Sequence, residues 1–209
     1  MAQANLLRIH PDNPQPKGIA QAVEIIRKGG LVIYPTDTIY GLGCDLHNAR
    51  AVERLCQIRG FNPAKVHLSF ICHDLTHISD YAKISTQTYK VMKKALPGPF
   101  TFVLEASSKV PKIGGKRKET VGIRIPDNNI ALSIVRELGN PIISTSIHDD
   151  DEVIEYTTDP ELIYEKYRNL VDLVIDGGYG NNVASTVVNC ENDEFEVLRQ
   201  GAGIIEDYL

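Results

Sequence analysis

Tryptophan is absent from this chain, methionine occurs twice and cysteine only four times in 209 residues. Cys44, Cys56, Cys72 and Cys190 are scattered and form no Cys-x-x-Cys pair. That argues against a zinc ribbon or a thioredoxin-type centre and fits reduced thiols. No apolar run approaches the roughly 20 residues of a membrane helix. The opening Met-Ala-Gln-Ala-Asn-Leu-Leu-Arg-Ile-His lacks the basic start and apolar core of an export signal, so a cytoplasmic protein is expected. There is no Gly-x-x-x-x-Gly-Lys-Ser/Thr loop, no Gly-x-Gly-x-x-Gly opening a helix and no serine-hydrolase elbow. Repeats and low-complexity linkers are missing too, which leaves a single domain over residues 1–209 as the expectation. The formal net charge of -5 excludes wholesale coating of nucleic acid but not a local basic patch.

What is present is an ordinary globular composition, 43% apolar and 23% charged, and one unusual stretch, Leu31 to Asp45. Leu31, Val32, Ile33 and Tyr34 read as a buried strand that Pro35 ends. Thr36, Asp37 and Thr38 therefore fall at a strand's carboxyl end, where open α/β sheets hold ligands. Gly41 and Gly43 suggest a sharp turn or a close approach to a ligand. Helices are expected over Gly18–Lys28, from Asn48 to Gly60, over Ser85–Leu96, from Asn128 to Gly139 and near Pro160–Asn169. Strands are expected over Val66–Cys72, Phe100–Leu104, Thr120–Ile125, Pro141–Ser144, Val171–Asp176, Ser185–Asn189 and Phe195–Leu198. The elements intermix without strict βαβ alternation, so the expected class is α/β with a mixed twisted sheet and helices against it.

Polar residues on these strands and their ends are the candidates for chemistry: Thr36, Thr38, Arg59, Lys65, Arg124, Ser144, Ser146, Ser185, Thr186 and Arg199. Arg124 is the sharpest of them. A guanidinium between apolar strand neighbours needs an anionic partner or bulk water, because burying it bare is costly. A salt bridge to an acidic residue serves that need as well as a ligand does. Lys109, Lys112, Lys116, Arg117 and Lys118 form a basic run around Gly114-Gly115, which reads as a solvated loop or as a phosphate-attracting one.

Five ordered segments carry a family resemblance. They are Tyr34-Pro-Thr-Asp-Thr-Ile-Tyr-Gly-Leu-Gly-Cys-Asp45, Leu96-Pro-Gly-Pro-Phe-Thr-Phe-Val-Leu104, Val121-Gly-Ile-Arg-Ile-Pro126, Ala184-Ser-Thr-Val-Val-Asn189 and Leu198-Arg-Gln-Gly-Ala202. Together they resemble the YrdC family of L-threonylcarbamoyladenylate synthase-like proteins. Cys56-Gln-Ile-Arg-Gly60 and the short chain are most similar to its YciO branch. The resemblance implies a twisted open sandwich with a concave basic cleft. It also implies a nucleotidyltransferase reaction: L-threonine, bicarbonate and ATP, carried with Mg2+, give threonylcarbamoyl-AMP and pyrophosphate for tRNA threonylcarbamoyladenosine.

By that resemblance Thr36, Thr38, Arg124 and Ser185 would hold threonine. Arg59, Lys65, Ser144, Ser146, Thr186 and Arg199 would hold the nucleotide, with Arg59 and Lys65 stabilising phosphate charge. No protein nucleophile and no protein metal ligand are implied. Two departures stand out: Phe61 replaces a phosphate-binding arginine, and His148 replaces an asparagine ahead of the acidic run Asp149–Glu152. One lost charge-assisted contact is worth about 1.5–3 kcal/mol. The alternative reading is a non-catalytic module of the same fold that binds nucleotide, tRNA or double-stranded RNA.

Overall fold

The computed structural model of the protein describes residues 3–147 and 155–209; His148 and the acidic run 149–152 lie outside the described residues. The elements in chain order are β1 (Asn5–Arg8), α1 (Pro16–Arg27), β2 (Val32–Tyr34), β3 (Gly41–Asp45), α2 (Ala49–Ile58), β4 (Ser69–Ile71), β5 (Ala82–Lys83), α3 (Thr86–Ala95), β6 (Phe100–Ala106), β7 (Thr120–Arg124), α4 (Asn129–Leu138), β8 (Ile142–Ser146), α5 (Glu155–Thr158), α6 (Pro160–Tyr167), β9 (Leu173–Asp176), β10 (Thr186–Asn189) and β11 (Glu196–Arg199).

Helix starts follow the side chains that can accept a backbone N–H. Asn48 accepts from Ala51, Ser85 from Thr88, and Asn128 from both Ile130 and Ala131. Gly139, in the left-handed region at φ 86°, closes α4.

The strands form one mixed sheet in the order β1-β9-β2-β3-β8-β4-β7-β6-β10-β11, with β5 beside β6. Pairs β1/β9, β2/β9, β4/β7 and β6/β10 are parallel; the others are antiparallel. Alternation along each strand separates two apolar layers. On one face Val32, Tyr34, Leu173 and Ile175 meet α1 and α4 through Ile19, Val23, Ile130 and Ile134. On the other, Ile33, Leu42, Val174, Phe100 and Phe102 pack with Leu55 of α2 and Met92 of α3.

The expected class, a mixed α/β sheet with helices against it, is the observed one. Of the two readings of Gly41 and Gly43, the sharp turn is excluded: both lie within β3, antiparallel to β2. Their bare backbone leaves room for the Tyr34 ring. A Cβ on Gly41 would stand 2.9 Å from Tyr34 Cζ, and one on Gly43 would stand 2.5 Å from Ile142 Cγ2 and 3.0 Å from Tyr34 Cε1.

Candidate ligand-binding site

β2, β3, β8, β4, β7, β6 and β10 each bring residues to one cavity of about 530 Å3. The register explains the convergence. Gly41 stands opposite Ser146, Gly43 opposite Ser144, Ser69 opposite Gly122, and Ile71 opposite Arg124. Short polar side chains and glycines on adjacent strands leave a hollow where large residues would have closed it.

Arg124 ends β7 and is only 8% exposed. Its Nη2 donates to Thr38 Oγ1 at 2.6 Å, Asp37 Oδ1 at 2.7 Å and Thr36 Oγ1 at 3.1 Å. Both partners of the ion pair are nearly inaccessible, with side-chain exposures of 10% and 12%. The pair therefore answers the sequence puzzle in part: Arg124 has an acidic partner, and it also lines the cavity. Its Nε is buried and bonds to no described residue, as does Asp37 Oδ2. Such groups carry an uncompensated desolvation cost unless something else reaches them.

The two threonines differ in what they can still do. Thr36 Oγ1 gives its proton to the carbonyl of Ile39 at 2.8 Å and accepts from the Thr38 N–H at 3.0 Å. Thr38 Oγ1 accepts from Arg124, and its own proton is turned to Thr36 Oγ1 in a long contact of 3.4 Å, since the Thr36 proton goes to Ile39. Thr38 is thus the hydroxyl whose proton is held more weakly, and Thr36 fixes the loop that presents it.

Ser144 is similarly committed. Its hydroxyl accepts from Tyr34 Oη at 2.6 Å and donates to the Leu42 carbonyl at 3.1 Å. Burial pushes the Tyr34 phenol up to about 12, against smaller downward pulls from the Ser144 bond and the Arg124 charge. Ser185 shares a bond with Thr101 at 3.0 Å, and its carbonyl accepts from Arg199 Nη2 at 2.8 Å. Burial, and then the like charge of Arg124, hold the Arg199 guanidinium below its ordinary value.

Thr36, Thr38, Arg124, Ser144, Ser146, Ser185 and Arg199 are therefore brought to one cavity wall. Arg59, Lys65 and Thr186 are not part of that wall. Arg59 turns toward the Phe61 ring, 5.7 Å from its centroid, and toward Tyr167 Oη at 3.5 Å. Lys65 is exposed, in a turn where its N–H donates to the Asn62 carbonyl at 3.0 Å. Thr186 corrects the nucleotide-pocket expectation: its fully buried hydroxyl donates to Gly203 O at 2.6 Å and accepts from the N–H groups of Gly201 and Gly203. A hydroxyl with one proton given and two accepted has nothing left for a ligand.

Asp37 and Lys118 were not among the expected site residues. Lys118 lines the cavity, and Asp37 grips the arginine that does. For Lys118 the signal is its place just ahead of the strand whose alternate residues Thr120, Gly122 and Arg124 share one face. Among the described residues no group of three or more His, Cys, Asp or Glu side chains is placed to hold a metal ion, and no helix is long and apolar enough to cross a membrane.

The Sua5/YciO/YrdC family model, described as telomere recombination, matches residues 24–201. The chain belongs to this family. It is 39% identical over 203 residues to YciO of Escherichia coli (strain K12), covering 96% of this chain and 97% of that one. It is 32% identical over 198 residues to the threonylcarbamoyl-AMP synthase of Bacillus subtilis (strain 168), covering 91% of this chain but 55% of the longer protein. Among solved structures, E. coli YciO superposes with a TM-score of 0.89 at 39% identity, covering 99% of this chain and 100% of that one. P. abyssi Sua5 in complex with L-threonine superposes with a TM-score of 0.84 at 29% identity, covering 95% of this chain and 58% of Sua5. The family's YrdC-type fold is thus the fold of this chain.

Proposed function

We propose that this protein is a YciO-type relative of the threonylcarbamoyl-AMP synthases that binds L-threonine and ATP and joins them through bicarbonate. The observation that carries the reading is the buried Arg124, anchored by Thr36, Asp37 and Thr38 in the wall of a cavity that Arg199 also lines. A family member solved with L-threonine supports it.

In this reading the threonine carboxylate lies against Arg124, and Thr38 donates to a ligand oxygen. The threonine amine attacks the carbon of bicarbonate, water leaves, and a carbamate forms. A carbamate oxygen then attacks the α-phosphorus of ATP, and the bond to pyrophosphate breaks. No protein nucleophile takes part. The chain's contribution is to align two ligands and to oppose their negative charge with fixed cations. Mg2+ would supply further charge neutralisation.

Calorimetric titration with L-threonine and D-threonine tests the binding half. Saturable binding of the L form, weakened at least tenfold for the D form and for Arg124→Lys, is expected. Equal binding of both enantiomers, or none of either, would overturn the reading.

A further inference from the structure

The cavity runs from Arg124, which ends β7, to a second cation, Lys118, two residues before that strand begins at Thr120. Lys118, Thr120, Gly122 and Arg124 all line it. Six residues at full extension put the Cα atoms of Lys118 and Arg124 up to about 20 Å apart, at ~3.3 Å per residue. Gly122 leaves the floor between them without a side chain; a Cβ there would press to 3.2 Å from Thr101 Cγ2.

The Lys118 ammonium donates to the carbonyls of Ala64 at 2.9 Å and Pro63 at 3.2 Å. Those acceptors are neutral and use two of its three N–H groups. Two lysines of the neighbouring strands and loop are paired, Lys109 with Asp80 at 2.5 Å and Lys83 with Glu105; Lys112 and Lys116 are exposed, whereas Lys118 is not. Lys118 has no carboxylate partner among the described residues, although it is half-buried. Burial, reinforced by the like charge of Lys116, holds its pKa below the ordinary lysine value against a smaller opposing pull from Cys56. Glu191, exposed, is the one carboxylate among the described lining residues, against the cations Lys118, Arg124 and Arg199.

The position of the ammonium is fixed by the loop that carries it. Gly114, at φ 59°, lies so close to residues 63 and 64 that a Cβ would fall 2.6 Å from Ala64 N and 2.7 Å from Pro63 C. The basic loop and the segment after α2 therefore form one wall of the cavity.

We propose that Lys118 is a further substrate-binding residue, holding a phosphate group of the nucleoside triphosphate while the amino acid sits at Arg124. This rests on the synthase reading above. An amino acid anchored at Arg124 is far shorter than the groove and leaves the distant ammonium without a counter-charge. A polyphosphate supplies one, and an ammonium suits a phosphate oxygen as a point charge.

The test is calorimetry of ATP, adenosine and L-threonine with wild type, Lys118→Met, Lys118→Arg and Arg117→Met. Arg117 is exposed and lies outside the cavity wall. Lys118→Met is expected to weaken ATP binding roughly ten- to a hundredfold. Adenosine and L-threonine should stay within about twofold of wild type, Lys118→Arg should recover most of the loss, and Arg117→Met should match wild type. A role confined to pinning Pro63 and Ala64 would move adenosine and ATP alike, and that result would overturn the proposal. ATP binding left intact by Lys118→Met would overturn this assignment alone. Wild-type protein that fails to bind ATP would overturn the synthase reading and this assignment with it.

Discussion

Arg124 donates from Nη2 to the hydroxyl of Thr38 at 2.6 Å, across 86 positions of sequence. That bond joins the loop after β2 to the end of β7, and through it the two most informative motifs of the chain share one cavity. The two hydroxyl protons differ in how they are held. The Thr38 proton is held only by a long 3.4 Å contact with Thr36 Oγ1, whereas Thr36 has given its own to Ile39 at 2.8 Å.

The two threonines should therefore separate by readout. Thr38→Val is expected to weaken L-threonine binding roughly tenfold, as loss of one hydrogen bond worth about 1.5 kcal/mol would do. Thr36→Val strands the Thr38 N–H and frees the loop, so its main effect is on stability. Calorimetry beside urea unfolding distinguishes them.

Removing the guanidinium should damage the fold as well as the site. Arg124→Ala leaves the Asp37 carboxylate buried without its cation, a loss of about 3–5 kcal/mol in unfolding free energy. The double variant Arg124→Ala/Asp37→Ala should recover a large part of that stability while still failing to bind L-threonine. If the single variant unfolded with wild-type stability, the ion pair would have no energetic weight.

Thr186→Val should be a stability variant. It strands the N–H groups of Gly201 and Gly203, each costing about 1–3 kcal/mol. The intrinsic ATP affinity of the folded protein should change little.

Alkaline titration reports on Tyr34. Its pKa is raised to about 12 in the fold against about 10 in the unfolded chain, so its contribution is whole below pH 10 and is lost as pH rises toward 12. The size is about 2–3 kcal/mol. Tyr34→Phe should accordingly gain stability relative to wild type between pH 10 and 12, measured by urea unfolding.

Cys44, Cys56, Cys72 and Cys190 are all buried, and burial raises each thiol. Native protein at pH 8 should leave an aromatic disulfide reagent unreacted on the minute scale, because little thiolate forms and none is reachable. All four should react after unfolding.

Much of this was legible in the sequence because local rules and tertiary structure agree. Asn48, Ser85 and Asn128 mark helix starts by what their side chains can accept, and Pro35 ends β2 where it must. The glycine pair Gly41 and Gly43 left a turn and a close approach to a ligand both open, and only strand pairing, which places both within β3, removes the turn. Thr186 looked like a ligand hydroxyl until the backbone of residues 201–203 came to lie against it, a contact no spacing encodes. Lys118 was hidden within a basic run whose other members, Lys109, Lys112, Lys116 and Arg117, stay out of the cavity wall, a difference that the fold alone makes.

The most direct measurement is mass-spectrometric detection of threonylcarbamoyl-AMP from purified protein supplied with ATP, Mg2+, L-threonine and 13C-bicarbonate. Threonine-dependent product carrying one 13C, lost in Arg124→Lys, is the predicted result. No labelled product beside an active synthase assayed in parallel would contradict the proposed function.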